Sequence, residues 1–410
     1  MDDFGLLALE NGIRVVHREV THTKIAHIGI MLDIGSRDEN LEEQGIAHFW
    51  EHMAFKGTEK RNSYHIINRL ESVGGELNAY TTKEKICFYA TVLTEHLDRA
   101  LELLVDIVFH STFPVRQIDR ERMVILEEMA MYRDTPEDAI QDDLDELIFP
   151  DHALGRNILG TETTVSKFKQ EDFQSFISRN LNTTKVAVSC VGNVKENKLK
   201  RVVAKYLTPI PYKNHTADRV PFSSGELEQK TVSRPISQVH VALGKDAYSI
   251  SDERRMPLFM LTNILGGPYM NSRLNLSLRE KNGLVYHVEA NYSSFMDTGL
   301  FSIFFATDPR NMKKSLRLVE KELQQLRDAP MRDTQLHKAK QQIKAYLAMS
   351  EENNNAMMLM MAKSTLDLPE IPTLTHVFKQ IDEISAPLLQ DIARETFPEE
   401  MNRLIYAPEN

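Results

Sequence analysis

The sequence is short of cysteine, positive charge and long apolar runs, and each shortage removes a class of protein. Cys87 and Cys190 are its only cysteines in 410 residues, too few for the disulfide framework of a small secreted domain. Both sit in strand-like runs, Ile86-Cys87-Phe88-Tyr89-Ala90 and Val186-Ala187-Val188-Ser189-Cys190-Val191, and read as small core filler. No stretch approaches the roughly 18 consecutive apolar residues of a membrane-spanning helix, so no membrane partner is expected. The start, Met1-Asp2-Asp3-Phe4-Gly5, is acidic where a secretory signal is basic and then apolar, which points to a cytoplasmic protein. Lys and Arg number 49 against 59 Asp and Glu, a formal net charge of -10. That balance argues against nucleic acid as a partner, because phosphate binding wants a basic surface. Basic peptides are compatible with it.

What the chain does have is length and an internal repeat. At 410 residues it exceeds one ordinary core, and two domains of about 200 residues are expected. Asn11-Gly12 reads as a tight turn between two short strands, and 25–34 as a third. A helix at 63–73 ends at Gly74-Gly75, strands follow at 76–81 and 85–92, and helical periodicity covers 95–109, 114–133, 137–148 and 171–179, before a strand at 186–191. The same order then restarts. Strands fall at 236–243, 285–292 and 299–306, and helices at 253–265, 312–327, 333–350 and 387–395. The proline-rich, polar stretch 209–235 separates the copies as a linker. The fold class is therefore α+β, with units at 1–208 and 236–410, each a mainly antiparallel sheet with helices packed on one side.

The chemistry concentrates in His48-Phe49-Trp50-Glu51-His52, within Gly45-Ile46-Ala47-His48-Phe49-Trp50-Glu51-His52-Met53-Ala54-Phe55-Lys56-Gly57-Thr58. On a helix His48 and His52 project from one face one turn apart, with Glu51 beside them. Two imidazoles so placed can share one zinc ion, and the carboxylate between them can reach a water at an open position. The pattern H-x-x-E-H is the inverted form of the H-E-x-x-H zinc-peptidase motif. The surrounding residues are apolar, and ionisable groups on such a helix are costly unless paired or bound to metal. In the second copy Phe259, Thr262 and Asn263 stand at the corresponding places, so only the first half can hold the ion.

A third ligand can come from Asp119-Arg120-Glu121-Arg122-Met123-Val124-Ile125-Leu126-Glu127-Glu128-Met129, where Glu121 and Glu128 lie seven apart on one helix face. Glu127 points elsewhere. At this point the chain resembles, over nearly its whole length, the inverzincin peptidases, which include pitrilysin, insulin-degrading enzyme and the mitochondrial processing peptidase. The resemblance implies that His48, His52 and Glu128 bind one zinc per chain, that Glu51 is the general base, and that Glu121 supports the site. It also implies that Leu77-Asn78-Ala79-Tyr80-Thr81 is an edge strand, where Asn78 and Ala79 hold a peptide as an added strand. In Leu278-Arg279-Glu280-Lys281-Asn282-Gly283-Leu284-Val285-Tyr286 it implies that Arg279 fixes the substrate backbone and Tyr286 donates to the oxyanion. The expected protein is a zinc endopeptidase, a homodimer enclosing a chamber that admits unstructured peptides. A non-catalytic assembly or scaffold subunit on the same fold is the alternative, and it would be expected to have lost part of the motif.

Overall fold

The computed structural model describes residues 4–215 and 219–409. The acidic start at Met1-Asp2-Asp3 and residues 216–218 of the expected linker lie outside them. The first repeat runs β1 (Gly5–Ala8), β2 (Arg14–Glu19), β3 (Ile25–Leu32), α1 (Ile46–Ala54), α2 (Ser63–Glu71), β4 (Glu76–Thr81), β5 (Ile86–Leu93) and α3 (Leu97–Phe109). It continues through α4 (Val115–Asp134), α5 (Pro136–Ile148), α6 (Glu162–Val165), α7 (Gln170–Asn180), β6 (Val186–Gly192) and α8 (Glu196–Tyr206). The second comprises β7 (Gln229–Arg234), β8 (Val239–Ala247), α9 (Arg255–Gly266), β9 (Val285–Ser294), β10 (Gly299–Thr307), α10 (Met312–Asp328), α11 (Asp333–Glu351), α12 (Asn354–Asp367), α13 (Leu374–Glu383), α14 (Ala386–Thr396) and β11 (Asn402–Pro408).

The strands form two sheets of matching design. One has the order β1-β2-β6-β3-β5-β4 and the other β7-β11-β8-β10-β9. In each, a single pair is parallel, β2 with β6 and β11 with β7, and the other pairs are antiparallel. The α+β repeat is thus present, but helices pack on both faces of each sheet and not on one side as expected, because a helix from the other repeat covers the second face. Strand β7 falls inside the stretch expected to be linker. Its residues are mostly polar and exposed because it is an edge strand, so alternation of apolar residues does not announce it.

Compact units do not follow the order of the repeats. One unit takes the chain to Met129 together with Arg156–Val220 and Met349–Pro372; the other takes Ala130–Gly155, Pro221–Ala348 and the chain from Thr373. Each repeat therefore gives one helix to the other's unit: α5 belongs with the second sheet and α12 with the first. The expected division at 208 and 236 keeps both helices with their own repeats.

Within the first unit, α12 covers the face of the sheet shown by Gly29 and Met31. Met31, Cys87, Ala187, Ala362 and Leu366 form one buried cluster. A Cβ on Gly29 would stand 2.9 Å from Met358 Sδ, so glycine lets the helix come close. The alternate residues of β3, Ala26, Ile28, Ile30 and Leu32, are fully buried on the opposite face, where α3 runs along β3 and β5. In the second unit, α5 sets Ile140, Leu144 and Ile148 against Ala242, Phe304 and Leu404. The other face packs Val241, Phe301 and Phe305 on residues such as Leu261 of α9, Leu323 of α10 and Phe397 just after α14. Each such fully buried side chain contributes about 1.5–3 kcal/mol.

A buried ionic cluster ties together distant segments of the first unit. Lys85 Nζ lies 2.8 Å from both Asp33 and Asp367. Arg219 grips the Asp38 carboxylate with two bonds of 2.8 Å and reaches Asp33 at 3.0 Å, while Arg37 pairs with Glu84 at 2.7 Å. Burial pushes the Asp33 carboxyl up, but Lys85 and Arg219 outweigh it and hold it far below the usual carboxylate range. These pairs fix the turn between β4 and β5, which delivers Thr81 to the candidate site.

Candidate metal centre

Helix α1 is held at its start and along one side. Its first turn begins at Gly45, with φ 92°, and a Cβ there would lie 2.4 Å from Leu159 O. The buried Glu39 carboxylate accepts from Gly45 N at 2.9 Å and Ala47 N at 2.8 Å, meeting two amides that the helix itself leaves unpaired. Phe49 packs edge-on against Phe173 with ring centres 5.2 Å apart, and Trp50 against Phe88 at 6.1 Å. With those side chains in the core, His48, Glu51 and His52 are left on the remaining face.

The rings of His48 and His52 stand 4.6 Å apart, centre to centre. From α4, Glu128 Oε2 comes to 3.8 Å of His48 Nε2 and 3.5 Å of His52 Nε2. Donors about 2.0–2.1 Å from a tetrahedral zinc stand roughly 3.3 Å from one another, so this triangle is within a small adjustment of a metal site. Among the described residues it is the group of His, Cys, Asp and Glu side chains gathered closely enough to hold an ion. Burial, and then His52, push His48 down to about 3, so its imidazole is neutral and its lone pair free to ligate.

The next layer sets directions. Glu121, buried on α4, receives His52 Nδ1 at 3.0 Å on one oxygen and Lys56 Nζ at 2.7 Å on the other. Burial alone would raise the Glu121 carboxyl; His52 and Lys56 outweigh it and keep it anionic. A carboxylate only accepts, so Nδ1 donates to Glu121, and Nε2, on the Glu128 side, is the nitrogen left to ligate. Glu51 receives a hydrogen bond from Thr81 Oγ1 at 2.6 Å on Oε2. Burial raises the Glu51 carboxyl, opposed by Thr81 and His52. Glu127 is exposed.

Strand β4 pairs with β5 and ends its sheet, so its other edge is open, with Asn78 exposed and Ala79 half-buried. In the second unit, Arg279 lies in a π-helical segment, Asn275–Glu280, with its guanidinium carbon 5.7 Å from the centre of the Tyr286 ring. Tyr286 itself is 87 % exposed on the edge strand β9. On α9, Asn263 Nδ2 donates to Phe259 O at 2.9 Å and Thr262 is buried. Sequence reasoning passed over Glu39, Lys56 and Thr81. Lys56 had a signal, standing four residues after His52 and so one turn on; Glu39 and Thr81 act through contacts that no local pattern encodes.

Residues 14–162 match the family described as insulinase, peptidase family M16, and residues 167–343 the M16 peptidase inactive domain. The chain is 32% identical over 401 residues to an uncharacterized zinc protease of Bacillus subtilis, covering 97% of each. It is 30% identical over 404 residues to one of Mycobacterium leprae, covering 98% of this chain and 91% of that one. In fold it is similar to the crystal structure of a protease from Helicobacter pylori, with a TM-score of 0.92 at 20% identity over 99% of this chain and 100% of that one. A Pseudomonas fluorescens structure titled as an M16 peptidase inactive domain gives a TM-score of 0.92 at 17% identity, over 100% and 98% of the two chains.

Proposed function

Because the chain belongs to the insulinase family of peptidases, family M16, we propose that it is a zinc-dependent endopeptidase that hydrolyses unstructured peptides within an enclosed chamber. The convergence of His48, His52 and Glu128 on one point, with Glu51 beside them, is the observation that carries this reading. Two imidazoles and a carboxylate are a donor set that suits zinc, and the relatives named above are called zinc proteases. When bound, the ion supplies Lewis acidity toward the peptide carbonyl and the attacking water.

The remaining work falls to side chains. Glu51 accepts the proton of the attacking water and returns it to the amine nitrogen as the C–N bond breaks, which adds water across the amide. The open edge of β4 holds the peptide as an added strand at Asn78 and Ala79. Arg279 fixes the substrate backbone, and the exposed Tyr286 hydroxyl donates to the oxyanion. One ion per chain is proposed, since α9 offers phenylalanine, threonine and asparagine in place of ligands. The homodimeric, cytoplasmic state belongs to the same proposal; among the described residues no helix is long and apolar enough to cross a membrane.

Cleavage of a quenched fluorescent peptide by the purified chain tests the reading. A zinc chelator and Glu51→Gln should each abolish cleavage, and metal analysis should find zinc still bound to Glu51→Gln. Activity that survives either treatment would remove the assignment.

A further inference from the structure

We propose that Thr81 is a positioning residue for Glu51, fixing which oxygen of that carboxylate exchanges the proton during peptide hydrolysis. The inference rests on the peptidase reading above. A carboxylate turns easily about its last torsion, which is broad and two-fold. The Thr81 hydroxyl removes that freedom by donating to Oε2 at 2.6 Å. Among the described residues Oε1 takes no hydrogen bond, so it is the oxygen left to receive the water proton and pass it to the leaving amine nitrogen. A hydroxyl that donates to Oε2 also disfavours a proton on that atom.

Two features make Thr81 a firm anchor. Its β-branched side chain has little freedom at χ1 in a strand. Its backbone ends β4, and the turn that follows is tied down at each step. Ser36 N donates to Thr82 O at 3.2 Å and Arg37 N to Lys83 O at 2.7 Å. Lys83 Nζ donates to Arg156 O at 2.6 Å, and Lys85 sits in the ionic cluster with Asp33 and Asp367. Thr81 also shares its strand with Asn78 and Ala79. The segment proposed to hold the peptide is therefore the segment that orients the base.

Thr81→Val keeps the shape of the side chain and removes the donor, whereas Thr81→Ser keeps the donor. For Thr81→Val we expect kcat to fall about ten- to hundredfold, the effect of a hydrogen bond to a charged group, with KM within about twofold of wild type. Zinc content should match wild type, the melting temperature should fall by no more than the loss of this one hydrogen bond accounts for, and Thr81→Ser should restore kcat to within about threefold. Binding of uncleaved peptide, compared between Glu51→Gln and Glu51→Gln with Thr81→Val, should be equal. Unchanged kcat in Thr81→Val, an equal loss in Thr81→Ser, or weaker peptide binding by the double variant would each overturn the inference. A wild-type enzyme without zinc-dependent cleavage would overturn the peptidase reading and this inference with it; an active wild type with an unaffected Thr81→Val overturns this inference alone.

Discussion

Replacing Lys85 by methionine removes the cation between Asp33 and Asp367 while keeping most of the side chain's length. In the wild type the three side chains are only 5–8% exposed. After the change Asp33 keeps Arg219 and Lys185, but two buried carboxylates face each other without the ammonium that separated them. Removing one partner of a buried ion pair costs about 3–5 kcal/mol, and the first unit should be destabilised by that amount near pH 7. The pH dependence should also change sign. Wild-type Asp33 is held below its unfolded value, so its contribution is present above about pH 4 and is lost on acidification. Lys85 is raised: burial lowers it, but Asp33 and Asp367 outweigh that, so its contribution is lost only above about pH 10. In Lys85→Met, like charges held out of water bind a proton more tightly when folded than when unfolded. Stability should therefore rise as pH falls from about 7 to about 5, by roughly 1 kcal/mol for a shift of about two pKa units. Guanidinium unfolding of wild type and variant, followed by circular dichroism at about pH 7.5 and about pH 5.5, measures both quantities. A loss below about 1 kcal/mol, the range of exposed pairs, or a deficit that widens on acidification would refute the reasoning.

Glu121→Gln should weaken zinc binding about ten- to hundredfold by releasing Lys56 and loosening the hold on His52; competition with a chromogenic chelator measures it, and unchanged affinity would remove the supporting role. Tyr286→Phe should lower kcat about a hundredfold with little change in KM. Because that phenol is 87 % exposed, its melting temperature should not move, and a matching fall in stability would point to packing instead.

The metal helix was legible because its signal is local: His48 and His52 meet through helix geometry alone. Glu121 and Glu128 were legible as a shared face, but their approach to that helix is tertiary, and the family resemblance supplied the pairing. Turns and amphipathic helices were read to within a few residues, as at Ser63–Glu71 and Asp333–Glu351. What stayed hidden has physical causes. The methionine-rich α12 is buried or half-buried nearly all round, so no stripe distinguishes a face. β7 is a polar edge. The hold of Glu39 on Gly45 and Ala47, and of Thr81 on Glu51, joins residues whose types are common and whose separations carry no period.

Ribosomal synthesis runs in one direction, and the traded helices determine when the metal-bearing half can be finished. Roughly 175 residues separate the end of β6 at Gly192 from the end of α12 at Asp367, about 10–35 s of translation at about 5–20 residues per second. Throughout that interval Met31, Cys87 and Ala187 wait for Ala362 and Leu366, with an apolar sheet surface uncovered on the nascent chain. A gene fragment ending before α12 would encode the histidines, both glutamates and the base, yet would leave that surface open to aggregation.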